Sequence, residues 1–96
     1  MAIIGTFTTR DDQFQGTVRT LTLNAEIALI PIDKPSDAAP DYRAVAGQAE
    51  IGAAWRKTSK NDNEYLLVKL DDPSFKEPLV ARLVSMAEGW RLLWSR

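Results

Sequence analysis

The segment FQGTVRTLTLNAEIALIPI, residues 14–32, decides the fold because apolar and polar side chains alternate along most of its length. A period of two is typical of β-strands with one buried face. The apolar positions up to Val18 are even-numbered, whereas those from Leu21 to Leu29 are odd-numbered. A strand cannot change parity without a slip in register. We therefore predict a β-bulge or sharp bend near Arg19–Thr20, with a strand break there as the alternative.

The remaining chain shows the same alternation in short segments separated by turns. These segments are IIGTFTT, YRAVAG, EIGAAWRKTS, EYLLVKL, LVARLVSM and WRLLWSR. Between the last two, AEG is a good hairpin turn because Gly89 can adopt positive φ. The pattern predicts an all-β single domain over residues 1–96, a small barrel or sandwich of about seven antiparallel strands with SH3-like or OB-like closure.

Aromatic rings are the natural filling for the interior of such a small barrel. We predict that the interior holds Phe7, Phe14, Trp55, Trp90 and Trp94. Trp94 has an alternative, because chain ends usually fray. Exposed together with Leu93, it would form an apolar patch and allow a homodimer through the C-terminal strand.

The overall composition limits the classes of protein to which the chain can belong. The chain has 96 residues, 45% hydrophobic and 26% charged, with a net charge of −1 and neither cysteine nor histidine. A chain of this length predicts a single core. Without cysteine it has neither a disulfide nor a thiolate site. The start, MAIIGTFTTRDD, has no signal-peptide pattern, and no apolar run reaches the length of a membrane helix. We expect a cytoplasmic protein without a membrane partner.

No catalytic motif is present. Without His or Cys the common general bases and nucleophiles are missing, and no P-loop or G-x-S-x-G pattern occurs. Asp71 and Asp72 are neighbours that would point to opposite faces of a strand, which argues against an acid–base pair. We expect Asp72 to start a turn instead. Asp33, Asp37 and Asp41 share one loop but lack the spacing of an EF-hand. We predict no enzyme, no catalytic residue, no cofactor and no metal site.

The hairpin WRKTSKNDNEYLLVKLDD, residues 55–72, carries the strongest candidate binding site. Exposed aromatic rings beside cations stack bases along a charged groove. The predicted nucleic-acid-binding residues are Trp55, Arg56, Lys57, Lys60, Tyr65 and Lys69, and Arg19, Arg43 and Arg82 are positioned to extend the patch. The alternative is that these cations only protect a hairpin edge, with Asp62 and Glu64 partly neutralising them.

Several segments in order also carry a family resemblance. They are IGTFT, GTVRTLTLN, KPSDAAPDYR, EIGAAWRKTS, YLLVKLDDPSF and LLWSR. The chain resembles the bacterial family called domain of unknown function seven hundred and thirty-six. The resemblance implies small all-β proteins of rhizobia and other proteobacteria, often on plasmids and mobile elements, and it implies no site residues. We expect relatives to carry a glycine in the turn that reads KNDNE here.

Two hypotheses of function follow. The first is a non-enzymatic small β-barrel that binds nucleic acid, single-stranded in preference, as an accessory of mobile DNA. The second is a protein-interaction module, such as an inhibitor of a host defence system of the restriction or CRISPR type. The partner is accordingly single-stranded nucleic acid or a host protein.

Overall fold

The computed structural model describes residues 2–21 and 23–94, which form a closed antiparallel barrel of eight strands. The strands are β1 (Ala2–Arg10), β2 (Gln13–Arg19), β3 (Asn24–Pro31), β4 (Tyr42–Ala46), β5 (Ala49–Thr58), β6 (Glu64–Leu70), β7 (Leu79–Met86) and β8 (Gly89–Trp94). Each pairs with its neighbours in sequence, and β8 closes onto β1. The predicted small all-β barrel is confirmed. Its eight-stranded up-and-down order differs from the five-stranded Greek-key order of an OB-fold.

The parity change after Val18 is a strand break, not a bend. β2 ends at Arg19 and β3 begins at Asn24, so the predicted bulge near Arg19–Thr20 is wrong and the alternative is confirmed. The Thr20 amide donates to the Leu23 carbonyl at 2.7 Å, and the Leu23 amide donates to the Thr20 hydroxyl at 3.1 Å. A turn resets the parity, so the two strands bury even- and odd-numbered side chains respectively.

Two β-bulges lie elsewhere and decide which side chains face the interior. In β1, Ile4 has no partner between the pairs Ile3–Leu93 and Gly5–Leu92. In β5, Ile51 has no partner on β4 between the pairs Glu50–Val45 and Gly52–Ala44. One extra residue shifts the following side chains to the opposite face.

The bulge in β5 overturns one prediction about the core. Beyond Ile51, Ala54 is fully buried and Trp55 points outward from the barrel. The predicted interior position of Trp55 is therefore wrong. The intermediate exposure of Trp55 reflects cover by a neighbouring loop, because its indole N–H donates to the Ala38 carbonyl at 3.2 Å.

The other four predicted rings pack in or against the core. Phe7 and Phe14 are buried, and Trp90 and Trp94 are partly buried against the core cluster. Gly16 lies under the ring of Phe7, where an added Cβ would come within 2.6 Å of the ring carbon Cγ. The largest fully buried side chains come from five of the strands: Val18, Leu29, Val68, Leu70, Leu83 and Leu92.

The C-terminal strand is paired on both sides over residues 90–93. β8 pairs with β7 on one side and with β1 on the other. Addition of this strand to another sheet would require a free edge, and a closed barrel removes edges. The homodimer through the C-terminal strand stays a prediction. The last two residues of the segment WRLLWSR lie outside the described residues.

Strand direction alternates around the barrel, which places four connections at one end. They are the turn at residues 11–12, the loop at 32–41, the turn at 59–63 and the turn at 87–88. Asp11 and Asp12 have φ of 53° and 66°, as a two-residue turn of the primed type requires. Gly89 has φ of 123°, which confirms its predicted turn role. None of the described residues forms a helix suited to crossing a membrane.

Candidate nucleic-acid interface

The outer wall formed by β5, β6 and β7 carries a band of cations and aromatic rings. Because Leu66, Val68 and Leu83 are buried, their neighbours in sequence point outward. We call this band the basic–aromatic face; it consists of Trp55, Lys57, Tyr65, Leu67, Lys69 and Arg82. Within the described parts of these strands, the outward positions 53–57, 65–69 and 80–84 hold no carboxylate.

Strand register brings the members of the basic–aromatic face side by side. Leu67 lies directly between Trp55 on β5 and Arg82 on β7. Lys57 is opposite Tyr65 on the neighbouring strand. Side chains directly opposite each other in antiparallel strands have Cβ atoms roughly 4.5–5.5 Å apart. The pairing therefore makes one continuous surface from residues far apart in sequence.

A second row of cations lies one level further along the strands. Ala53 on β5 is paired with Arg43 on one side and with Lys69 on the other. Arg43, Lys69, Lys57 and Arg82 are all exposed. The two cations that flank Ala53 are about 10 Å apart, since strands are spaced by about 4.8 Å. Arg43 and Arg82 thus extend the patch as the sequence indicated, whereas Arg19 lies on β2, away from it.

The aromatic ring of Tyr65 is positioned by a cation. The guanidinium carbon of Arg82 lies 5.3 Å from the ring centroid of Tyr65. Such contacts at exposed sites stabilise by about 0.5–1 kcal/mol. Tyr65 is half-buried and Arg82 exposed, so both remain in contact with solvent. The pair places an aromatic ring next to a positive charge, a combination used by proteins that stack bases along a charged groove.

Two of the predicted site residues lie away from the basic–aromatic face. Arg56 follows the inward parity of Ala54, and its guanidinium donates to the hydroxyl of Tyr42 at 2.8 Å. Lys60 lies in the exposed turn between β5 and β6. The structure therefore brings Trp55, Lys57, Tyr65 and Lys69 together as one surface and separates Arg56 and Lys60 from them.

Arg56 belongs instead to a cavity at the end of the barrel, which we call the mouth cavity. It has a volume of about 180 Å³ and is lined by aromatic rings, among them Phe14, Tyr42 and Trp90. The Phe14 ring meets Tyr42 and Trp90 edge-on, with centroids 5.7 Å and 4.9 Å apart. Edge-to-face pairs at these distances are favourable. The charged side chains at this opening are Asp12, Arg56 and Glu64.

Asp41 fixes the position of Arg56 through the backbone. Its carboxylate accepts the amide N–H of Arg56 at 2.8 Å and pairs with the ammonium of Lys34 at 3.2 Å. The hydrogen bond from Arg56, assisted by Lys34, lowers the pKa of Asp41 below its usual value. Contact with the Tyr42 hydroxyl, and to a smaller extent attraction by Asp41 and Glu64, raises the pKa of Arg56 above its usual value.

Asp72 and Asp41, two of the carboxylates considered for catalysis or metal binding, have structural roles. Asp72 accepts the Ser74 amide at 2.9 Å, and its carbonyl accepts the Phe75 amide at 2.8 Å, so its predicted turn role is confirmed. Over residues 2–21 and 23–94, no group of three potential ligands is arranged to hold a metal ion. The carboxylate of Asp41 already accepts the amide N–H of Arg56 and pairs with the ammonium of Lys34.

Sequence reasoning missed the mouth cavity altogether. Three of its rings come from β2, β4 and β8, and nothing in the linear sequence relates Phe14 to Tyr42 or Trp90. One usable signal exists, because Tyr42 and Trp90 each lie close behind a connection at the same barrel end. Alternate connections of an up-and-down barrel lie at the same end. Assuming that order would therefore have placed Tyr42 and Trp90 together.

Comparison with known proteins identifies a family but no characterised counterpart. The family model described as "Protein of unknown function (DUF736)" matches residues 3–96. No curated protein and no solved structure gives a significant match. The match confirms the family that the sequence indicated, and its description names neither host organisms nor an activity.

Proposed function

Since the chain belongs to the DUF736 family, whose description assigns no activity, we propose from its surface that it is a non-enzymatic β-barrel that binds single-stranded nucleic acid. The basic–aromatic face is the observation that supports this function. Cations attract the phosphates, and a base stacks on the surface formed by Tyr65 and Arg82. A single strand suits the face because its bases are free to stack on side chains.

The charge distribution predicts how binding should depend on salt. The net charge of −1 gives the whole molecule no long-range attraction for phosphates. Binding must therefore depend on the local cations of the face and be strongly sensitive to salt. Lys57, Lys69 and Arg82 are the three face members that carry positive charge.

Counterion release gives the expected size of the salt effect. Three phosphate contacts to a single strand predict a slope of log affinity against log salt of about −2.1, at about 0.7 per contact. Between about 50 and about 200 mM salt the affinity should then fall about 20-fold. With two contacts the slope becomes about −1.4 and the fall about sevenfold.

Fluorescence anisotropy with labelled single- and double-stranded oligonucleotides tests the proposal. We expect salt-sensitive binding with preference for the single strand. Lys69→Gln should weaken binding and flatten the salt slope, whereas Lys76→Gln, the same charge change in the connection between β6 and β7, should change neither. Tyr65→Ala should weaken binding by about 1–3 kcal/mol, the value of one stacked base.

Two outcomes would refute the proposal. One is no binding of either oligonucleotide at the lower salt. The other is binding that Lys69→Gln and Lys76→Gln weaken equally, since the face would then have no special role. Either result would favour the alternative hypothesis of a protein-interaction module, which requires a complementary surface and no phosphate contacts.

A further inference from the structure

The mouth cavity is built of side chains that the basic–aromatic face does not use. Its aromatic walls come from Phe14, Tyr42 and Trp90, and its polar groups include Arg56 and Glu64. Pockets for drug-sized ligands measure roughly 300–1,000 Å³. A volume of about 180 Å³ is therefore suited to something smaller, on the scale of one planar ring system.

The polar groups define the chemistry of that ring system. A guanidinium only donates hydrogen bonds, and an ionised carboxylate only accepts them. A ring that satisfies both Arg56 and Glu64 must carry acceptors and donors at neighbouring positions around its rim. A phosphate is a poor occupant, because Asp12 and Glu64 both lie at the opening. A nucleobase has the flat faces and the mixed edge that this cavity requires.

A groove connects the mouth cavity with the basic–aromatic face. The groove contains Arg82 of the face and shares three lining residues with the mouth cavity: Glu64, Tyr65 and Trp90. Tyr65 thus belongs to the face, to the groove and to the rim of the cavity. A strand that stacks on Tyr65 can pass one base over this rim without leaving the surface.

We propose that the mouth cavity binds a single nucleobase, with guanine preferred, as the anchoring site of the strand that lies on the basic–aromatic face. The inference rests on the proposed function for the source of that base. Guanine is preferred because its edge offers two adjacent N–H donors to the carboxylate of Glu64. Its O6 and N7 atoms are acceptors that an arginine recognises.

Titration by nuclear magnetic resonance tests the cavity separately from the strand. The probes are guanosine 5′-monophosphate, adenosine 5′-monophosphate and ribose 5-phosphate, added to ¹⁵N-labelled protein. The indole N–H signals distinguish Trp90 in the cavity from Trp55 on the outer wall. We expect the guanine nucleotide to shift the signal of Trp90 and the side-chain signal of Arg56. The adenine nucleotide should bind about tenfold more weakly, as expected for the loss of one bidentate pair.

A matched pair of variants identifies the contact. Glu64→Gln removes the carboxylate from the rim and should lower affinity for the guanine nucleotide about tenfold. Asp62→Asn makes the same charge change in the adjacent turn, outside the cavity lining, and should leave that affinity within twofold. Equal effects of the two variants would overturn the proposed contact, because they would report general charge alone.

The outcomes separate this inference from the proposed function. No shift of Trp90, or the same shift with ribose 5-phosphate, would overturn the nucleobase site even if oligonucleotides bind the face. A guanine-specific shift of Trp90 without oligonucleotide binding would support the cavity as a site for a free nucleotide and would refute strand binding. A DNA pentamer of four thymines and a 3′ guanine should shift Trp90 more strongly than a pentamer of thymine alone.

Discussion

Replacing Asp41 should destabilise the barrel and disturb its mouth together. Asp41 is the last residue of the loop between β3 and β4, and its carboxylate accepts the amide N–H of Arg56 at 2.8 Å. Its own amide donates to the Ala54 carbonyl at 2.9 Å. The side chain is only 18% exposed, so solvent screens these contacts incompletely. The residue therefore joins the loop to the strand that positions the arginine of the mouth cavity.

The magnitude follows from the kind of bond that is lost. A hydrogen bond to a charged acceptor stabilises by about 1.5–3 kcal/mol, whereas a partly exposed ion pair contributes up to about 1 kcal/mol. Asp41→Ala should thus lower the free energy of unfolding by about 2–3 kcal/mol. In a domain of this size Tm falls about 4–8 °C per kcal/mol, so the decrease should be about 8–24 °C.

Acid should reproduce part of the same loss. The pKa of Asp41 is lower in the folded protein than in the unfolded chain, so the unfolded chain binds more protons as the pH falls. The stabilisation is fully present above the unfolded value of about 3.9 and is lost as the pH falls through the folded pKa. Asp41→Asn should therefore unfold with a weaker pH dependence below about pH 5 than the wild-type protein.

Thermal and urea unfolding, followed by tryptophan fluorescence, measure these effects. Lys34→Ala is the matched control, because it removes the ion pair and leaves the hydrogen bond from Arg56 intact. It should cost less than about 1 kcal/mol. If Asp41→Ala costs no more than Lys34→Ala, the reasoning is refuted and the hydrogen bond to the strand contributes little.

Three further substitutions test the backbone of the barrel by urea unfolding. Gly16→Ala should cost about 3 kcal/mol, because the new Cβ would lie 2.1 Å from the Thr6 carbonyl oxygen; a cost below about 0.5 kcal/mol would contradict this close approach. Gly47→Ala should cost only about 1 kcal/mol, since its surroundings are open and the cost comes from its φ of 63°. Asp62→Gly should stabilise by up to about 1 kcal/mol, because Asp62 has φ of 62°; an unchanged midpoint would show that its side chain compensates for this conformation.

The outward row of β6 was predictable from sequence because β6 is regular. Its buried residues alternate without interruption from Leu66 to Leu70, so Tyr65 and Lys69 fall on the outer wall as the alternation indicated. The same alternation misplaced Trp55, since the bulge at Ile51 reverses the parity of β5. A bulge exists only relative to a partner strand, and the partner is not specified by local sequence.

The sequence by itself determined an all-β fold of short antiparallel strands, most of its turns and most of the residues of the candidate surface. Local alternation and turn chemistry depend on neighbours in the chain, and these are visible in the sequence. Only the tertiary structure decided that Arg56 faces the mouth and that Phe14, Tyr42 and Trp90 surround it. Those positions follow from closure of β8 onto β1 and from interstrand register, because both depend on contacts between residues distant in sequence.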